Sequence, residues 1–535
     1  MSLLDALLLD PYRINVWIAY RTDGVKGSGT QNDPYDGSTA TRFDSLMSGF
    51  APNTTVHLGP TTTSNPFQTT GFWINNDGST GSGWEPKAGM KIIGSGIDVT
   101  TLKLVNASGG ALYFAIGHTF TTSVDYFEAS DLTIDCNLTA QGASLAAGAV
   151  RVLGNHSRVR RVKVTNWGSK SGAPTGYVIA MITGEPTYGF TQVIDTGIED
   201  CIVVNPDTTS GVGPVSVLHV GSRFVDLGYN VEAYGTGGFI RNCFVDSGSP
   251  TTTADIRALS MSWCKGGIIE GNQVHNTKYG GPYASEESIG DLTVRNNFYK
   301  NVQKGPFWNL ATNIAGSLSS LVRDSGDNTI AVATSSGAHG MLAGDRVRID
   351  VSGAASYYEG IFVIKDVPSS TTFRYQMQGD PGGNGSSPTM QKIFGVGKLV
   401  VEGNTVELAT GSTGLIGIHL DDASLSPQAP DYAHGDVVIR DNKIRYVDGF
   451  FDSSCTGYGL QLNGVKNLLV RNNVVECYPS NPLRNNRCGS VEYFNDKTPA
   501  GVLIQGINED DSNKKYDELE TDAEDALVLA LMKKR

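Results

Sequence analysis

One short pattern, two apolar positions flanking a small or amide-bearing residue, returns nine times along the chain and constrains the fold more than any other feature. It reads SDLTI at Leu132, RRVKV at Val162, EDCIV at Cys201, RNCFV at Cys243, EGNQV at Asn272, RNNFY at Asn297, EGNTV at Asn404, RDNKI at Asn442 and RNNVV at Asn473. The intervals are 30, 39, 42, 29, 25, 107, 38 and 31 residues, one period with a single long interruption. Self-similarity at that period marks a solenoid. Each unit offers too little apolar surface to fold alone and buries it only by stacking on the next.

The residues around each repeat decide which solenoid. Short runs alternate apolar and polar positions, as in Leu468-Leu469-Val470 before Asn473 and Val474-Val475 after it, and Gly, Asn and Asp bound them. This is strand periodicity with turn punctuation. If equivalent residues stack one strand spacing apart, about 4.8 Å, Asn272 lies over Asn297, and Asn404, Asn442 and Asn473 follow. A buried amide has two donors and two acceptor sites, so a column of amides satisfies itself from coil to coil. Toward the N-terminus the column changes to Cys243, Cys201, Val162 and Leu132, which need no hydrogen bonds. Two residues ahead of the ladder stand Arg160, Glu199, Arg241, Glu270, Arg295, Glu402, Arg440 and Arg471. Their mostly alternating sign predicts an outward column of cross-strand ion pairs with no catalytic part.

This pattern resembles the right-handed parallel β-helix of the pectate-lyase-like superfamily, over residues 90 to 510. Near its start, the run from Met90 to Leu102 is similar to the early-coil GxGxxxTxL stretch of such proteins, and Asp131 to Asn137 to the LTIDxN coil that follows. The expected fold is therefore all-β, a right-handed parallel β-helix (solenoid) with a small inserted β domain and a C-terminal helix.

Residues 1–60 form an N-terminal cap or lead-in, with a short helix at Arg42 to Met47 and a first strand at Thr55 to Leu58. Residues 61–315 and 393–510 form the two parts of the β-helix. The 107-residue gap is too long for one coil, and four strand candidates inside it predict an inserted β-barrel or sandwich at 316–392. Its HGxxxGDxVxI wording resembles a module of phage structural and bacterial surface proteins. Residues 511–535 carry a capping box at Thr521 to Glu524, then an apolar run and a basic end, and are expected to form a capping helix.

A net charge of −13 and a pI near 5.1 argue against nucleic acid, which needs a basic footprint. No run is long enough for membrane insertion. Seven cysteines without CxxC spacing read as buried free thiols. Met1 to Asp10 lacks a basic n-region and a small-residue cleavage site, so it reads poorly as a secretory signal. The expected location is a virion tail or the extracellular space.

Three residues after the ladder the column faces outward, and Asp246, His275 and Lys300 are consecutive members within about 10 Å along the axis. Trp263, Tyr279, Tyr283 and Glu286 lie nearby in sequence, the tyrosines in a Gly-rich stretch read as too irregular for a strand. Aromatic faces and carboxylates in one groove suit a saccharide. A hydrolase needs two carboxylates roughly 5 to 9.5 Å apart, for which Asp246 and Glu286 are the candidates. A lyase acting on a uronate needs a cation or metal against the sugar carboxylate and a base, His275 or Lys300. Trp263, Tyr279 and Tyr283 are the candidate substrate-binding residues. No metal ligands are assigned, and calcium is the one cofactor a lyase version would call for. The His419-Leu420-Asp421-Asp422 stretch resembles one element of the polygalacturonase-type site, but the companion GHG and RIK elements are missing.

The superfamily includes lyases, hydrolases, epimerases, tailspikes and binding proteins, so fold leaves function open. The leading expectation is a tailspike or tail-fibre-like virion protein, a homotrimer, that binds and in an enzymatic version cleaves a bacterial surface polysaccharide and joins other tail proteins. The alternatives are a secreted polysaccharide lyase or glycoside hydrolase, acting also on plant or algal polysaccharide, and a non-catalytic structural or adhesive β-helix.

Overall fold

The computed structural model describes residues 14–508 apart from short internal stretches, the longest at 222–233, 422–433 and 495–506. The expected C-terminal helix at 511–535 lies outside the described residues. The chain is a parallel β-helix with three sheet faces. The first face stacks Gly197–Glu199, Phe239–Arg241, Gly267–Glu270, Leu292–Arg295, Lys398–Glu402, His434–Arg440 and Val465–Arg471, each paired in parallel with the next. The second stacks Ile202–Val203, Phe244–Asp246, Gln273–Tyr279, Phe298–Leu310, Thr405–Leu408, Lys443–Tyr446 and Val474–Val475. The third includes Ala146–Leu153, Gly176–Ile182, Val215–Gly221, Ile256–Ser262, Leu415–Asp421 and Gly457–Asn463. Two long strands, Gln273–Tyr279 and Phe298–Leu310, run from the second face into the third.

The corner between the first and second faces is set by the residue just before the ladder. It holds φ between 49° and 66° in every coil: Asp131, Arg161, Asp200, Asn242, Gly271, Asn296, Gly403, Asp441 and Asn472. Eight of these nine are Asp, Asn or Gly, the types that enter the left-handed region at least cost. The bend turns the next side chain, the ladder residue, into the core.

There the amides form a continuous chain. Asn272 Nδ2 donates to Asn297 Oδ1, Asn297 to Asn404, Asn404 to Asn442 and Asn442 to Asn473, each at 2.9 Å. Each Oδ1 accepts a second bond from the backbone N–H of the preceding ladder residue, as Asn404 Oδ1 does from Asn297 at 3.0 Å. The second Nδ2 hydrogen reaches a carbonyl of the preceding coil, Val294 for Asn404 and Val401 for Asn442. The interior amides are thus fully bonded while at most 2% exposed.

Outside, Glu270 is bonded to Arg241 at 2.9 Å and to Arg295 at 2.6 Å, and Glu402 to Arg440 at 2.6 Å. Leu132, Val162, Cys201 and Cys243 continue the interior column as buried apolar groups. Cys136, Cys201, Cys243 and Cys264 are free and buried.

The helix begins earlier than the expected first strand. Ile14–Ala19 pairs in parallel with Thr54–Leu58, which pairs with Lys91–Ile93. Its alternation buries Val16 and Ile18, so it is a first strand rather than a lead-in. The helix Ala40–Gly49 starts at Thr39, whose hydroxyl accepts from the Arg42 N–H, and buries Phe43 and Met47.

Within the 107-residue interruption, six strands close a barrel in the order Thr312–Arg323, Ile330–Ser335, Thr372–Gln376, Gly360–Ser369, Arg346–Asp350 and Thr389–Phe394. Tyr358, Phe362, Phe373 and Tyr375 fill it. The two strands that join the barrel to the helix were not expected: Ser, Thr and Gly in Thr312–Arg323 read as turn, and Thr389–Phe394 directly follows a Gly-, Ser- and Pro-rich stretch.

Candidate functional site

On the second face the residues three past the ladder stand in register: Asp246 against His275, His275 against Lys300, Lys300 against Glu407, Glu407 against Arg445. Between them and the ladder, Val245, Val274, Tyr299, Val406 and Ile444 point inward and are buried. Asp246 Oδ1 accepts from the Gly248 N–H at 2.9 Å and from Asn276 Nδ2 at 3.1 Å, and Asn301 Nδ2 donates to Asn276 Oδ1 at 2.7 Å. Glu407 is ion-paired to Arg445. Both carboxylates therefore already serve the column itself.

His275 is held edge-on by two rings, Phe244 at 4.9 Å and Phe298 at 6.0 Å. Burial lowers its pKa, nearby Lys300 lowers it further, and Asp246 and Glu407 oppose both. Its Nε2 is buried and has no hydrogen-bond partner among the described residues. Lys300 is exposed.

The remaining sequence candidates divide by position. Tyr279 ends the strand Gln273–Tyr279 and is 9% exposed. The Lys278 to Tyr279 segment is therefore regular strand, not the irregular loop expected, because the coil crosses from the second face to the third without a loop. Tyr283 stands opposite Trp308 in the backbone register. Trp263 and Glu286 lie outside the described residues, so the Asp246 and Glu286 pairing has no geometry here.

The third face differs in kind. One outward column runs Tyr177, Ser216, Arg257, Tyr279, Lys304, Ile416 and Tyr458 in unbroken register. A second runs Ala180, His219 and Ser260, and farther along His419 and Gln461. Between the two columns each strand turns two successive residues inward, such as Val217 and Leu218 or Ala258 and Leu259, all buried. Where this bend reaches Gly305 and Gly417 the coils touch: a Cβ on Gly305 would lie 2.0 Å from the Gly417 carbonyl oxygen.

His219 and Ser260 are hydrogen-bonded, Nδ1 to Oγ at 3.1 Å, and the Tyr177 ring meets the imidazole edge-on at 5.1 Å. Burial, with a smaller contribution from Arg257, pulls the His219 pKa to about 4. Burial and then Lys304 pull that of His419 to about 3. Lys304 itself falls to about 8, through burial and the neighbouring Lys278. Lys278 Nζ lies 2.6 Å from Asp255 Oδ1 and 5.4 Å from the centre of the Tyr279 ring. At neutral pH both imidazoles are neutral, and His219, His419, Ser216 and Ser260 are buried, while Tyr177, Arg257, Lys304 and Tyr458 are half-buried.

Of this face the sequence singled out Tyr279 and, through the His419 to Asp422 stretch, His419, but not the columns they stand in. The ladder fixes register on the first two faces, but the loops between second and third strands vary in length, so counting from the ladder fails there. The available signal was weaker: histidine or aromatic residues within apolar runs, as in Val215 to Val220 and Leu415 to Leu420. Among the described residues no group of three or more His, Cys, Asp or Glu side chains is placed to hold a metal ion. No helix among them is long and apolar enough to cross a membrane.

No protein-family model matches the chain, and no curated protein matches it. Solved structures do. The tailspike protein of E. coli bacteriophage HK620, in complex with a pentasaccharide, is 9% identical at a TM-score of 0.47, over 91% of this chain and 66% of that one. A DFA-IIIase from Arthrobacter chlorophenolicus A6, without its lid and in complex with GF2, is 10% identical at 0.47, over 94% and 99%. The mannuronan C-5 epimerase A-module of Azotobacter vinelandii is 12% identical at 0.37, over 88% and 90%. At these scores the likeness carries no argument about chemistry.

Proposed function

We propose that this chain is a polysaccharide-binding β-helix whose glycan lies along the third face. One observation carries the reading. Outward positions on the first face are ion pairs that neutralise one another, whereas on the third face they are Tyr177, Ser216, Arg257, Tyr279 and Tyr458 in one column and His219, Ser260 and His419 in the other. Aromatic rings stack on sugar C–H faces, and neutral imidazoles and hydroxyls bond sugar hydroxyls. Repetition at strand spacing, about 4.8 Å per coil, suits a polymer better than a small molecule.

The finer reading is a tailspike or tail-fibre-like virion protein, trimeric, that recognises a bacterial surface polysaccharide. His275 and Lys300 stand around the Asn276 and Asn301 corner from this face and are the acid–base candidates that remain from the sequence, with Asp246, Glu286, Trp263 and Tyr283 as proposed neighbours. Titration of the full chain with a panel of bacterial surface polysaccharides tests the binding reading. Tyr177→Ala and Arg257→Ala should weaken binding while Arg295→Ala on the first face leaves it unchanged. Equal affinity in all three variants would remove the third face as the site. A monomer by light scattering would remove the trimeric form.

A further inference from the structure

We infer that the third face carries an ester-hydrolysing site for acyl substituents on a polysaccharide, with Ser260 as the nucleophile and His219 as its base. The inference rests on the reading that the glycan lies along this face, and adds a bond class and a reaction. Ser260 and His219 stand opposite each other on successive coils, with His219 Nδ1 3.1 Å from Ser260 Oγ. The Tyr177 ring meets the imidazole edge-on at 5.1 Å and fixes its plane. Two residues along the same strands, Ser262 stands opposite Gly221. The Ser262 hydroxyl is buried and has no hydrogen-bond partner among the described residues. A Cβ on Gly221 would lie 2.2 Å from Ser262 Oγ, so that hydroxyl leans back toward the coil of His219.

The chemistry needs each of them. Acyl transfer takes a hydroxyl that can lose its proton, a base within reach of it, and a donor aimed where negative charge develops. The Ser260 hydroxyl donates to Nδ1 in the tautomer that carries its hydrogen on Nε2. Burial keeps His219 neutral down to about 4, so that lone pair is present throughout the neutral range. A buried hydroxyl without a partner destabilises the fold, and an oxyanion forming beside Ser260 would satisfy the one on Ser262. Ser260 and His219 are each 5% exposed. Such an opening suits a short acyl group such as acetyl, carried on a sugar, and not the sugar ring itself.

In the step itself Ser260 Oγ attacks the ester carbonyl carbon as its proton passes to His219 Nδ1. The carbonyl oxygen becomes an oxyanion and accepts from the Ser262 hydroxyl. Collapse breaks the bond between the acyl carbon and the sugar oxygen, which leaves with the proton from His219. Water then attacks the acyl-serine, again giving its proton to His219, and releases the carboxylic acid and free Ser260. Ester and water become acid and alcohol, so no oxidant, reductant or further co-reactant enters.

The test uses the full chain, Ser260→Ala, His219→Gln and Ser262→Ala, with p-nitrophenyl acetate and an O-acetylated bacterial surface polysaccharide. Binding is read by calorimetry, and cleavage by nitrophenolate absorbance and by proton NMR of the released acetate. The wild type should cleave both substrates, at a rate that rises as pH passes through about 4 and is level from there to neutral pH. His219→Gln should lose roughly 10²–10⁴-fold in rate. Ser262→Ala should lose roughly 10²–10³-fold in kcat with KM unchanged, and Ser260→Ala should lose all measurable cleavage.

A second readout needs neither a variant nor a sugar: a fluorophosphonate should add once to the folded wild type, and peptide mapping should place it on Ser260. Polysaccharide binding with neither cleavage nor labelling overturns this inference and leaves the binding reading standing. Absence of binding, cleavage and labelling overturns both. Labelling of another serine, or unchanged cleavage in Ser260→Ala, assigns the nucleophile elsewhere and overturns the inference. A rate that rises only near the ordinary histidine value, roughly 6.5, removes His219 as the base.

Discussion

Removing one amide from the interior ladder should cost more in the middle than at the end, and the hydrogen bonds fix the ratio. Asn404→Ala deletes the acceptor of both the Asn297 N–H and the Asn297 Nδ2 group, at 3.0 and 2.9 Å. Asn442 Oδ1 keeps a donor in the Asn404 backbone N–H at 3.0 Å, so the damage is concentrated above the site. Asn272→Ala deletes the acceptor of a single N–H, that of Cys243 at 2.9 Å, since the cysteine above it has no amide to lose. The loss of a donor to a carbonyl is common to both variants, Val294 in one and Ile240 in the other. Each buried donor left unsatisfied costs about 1–3 kcal/mol. Asn404→Ala should therefore lose about 2–6 kcal/mol and Asn272→Ala about 1–3 kcal/mol. Urea unfolding followed by far-ultraviolet circular dichroism would read this as a midpoint shift at constant slope. If Asn404→Ala is no more damaging than Asn272→Ala, the coil-to-coil amide chain is not what holds the stack.

Other perturbations separate features that look alike in a contact map. Glu270→Gln removes a carboxylate shared by Arg241 and Arg295, yet should cost only about 0.2–1 kcal/mol per pair, shrinking as salt is raised in the same urea titration. Tyr299 places a hydroxyl inside the core with no partner among the described residues, so Tyr299→Phe should be neutral or stabilising by up to about 3 kcal/mol in thermal unfolding. His219 titrates near 4 when folded and at the ordinary 6.5 when unfolded. Unfolding takes up a proton between those values, so its contribution is whole above pH 6.5 and is lost as pH falls toward 4; His219→Gln should flatten that part of the stability profile. Burial pushes the Cys136 and Cys243 thiols well above their ordinary range, so a thiol reagent at pH 8 should label neither until the chain is unfolded.

The stacking and the first two faces were legible because they depend on spacing from one residue. Once Asn272 and Asn297 share an interior column, their neighbours one, two and three places on are fixed by strand alternation. That is why Asp246, His275 and Lys300 could be set in one column from sequence. The third face begins after a turn whose length changes from coil to coil, which breaks the count. It also carries a bend at which two residues in a row face inward, as at Ala258 and Leu259, so period two fails even inside the strand. Arg257 and Ser260, three apart, are both outward there, a spacing that an alternating strand does not allow. The barrel was visible through its apolar strands, while its first strand, rich in Ser, Thr and Gly, was not.

The same geometry explains why function would gather where the count breaks. On the first two faces the outward residues are tied to register: Arg295 cannot change without disturbing Glu270, and Asp246 holds both its turn and Asn276. Side chains committed to holding neighbouring coils together are poorly placed to meet a ligand. The third face draws its register from the bend and from close backbone approach at Gly148, Gly305 and Gly417, where a Cβ would lie 2.0 to 2.4 Å from a carbonyl oxygen of the next coil. Backbone contact there adds to side-chain contacts between coils, such as His219 with Ser260 and with Tyr177. Gly417→Ala should thus damage folding and binding together, by moving one coil against the next, whereas Arg257→Ala should reach binding alone; a Gly417→Ala chain with unchanged urea midpoint and affinity would show that the coils are not held there.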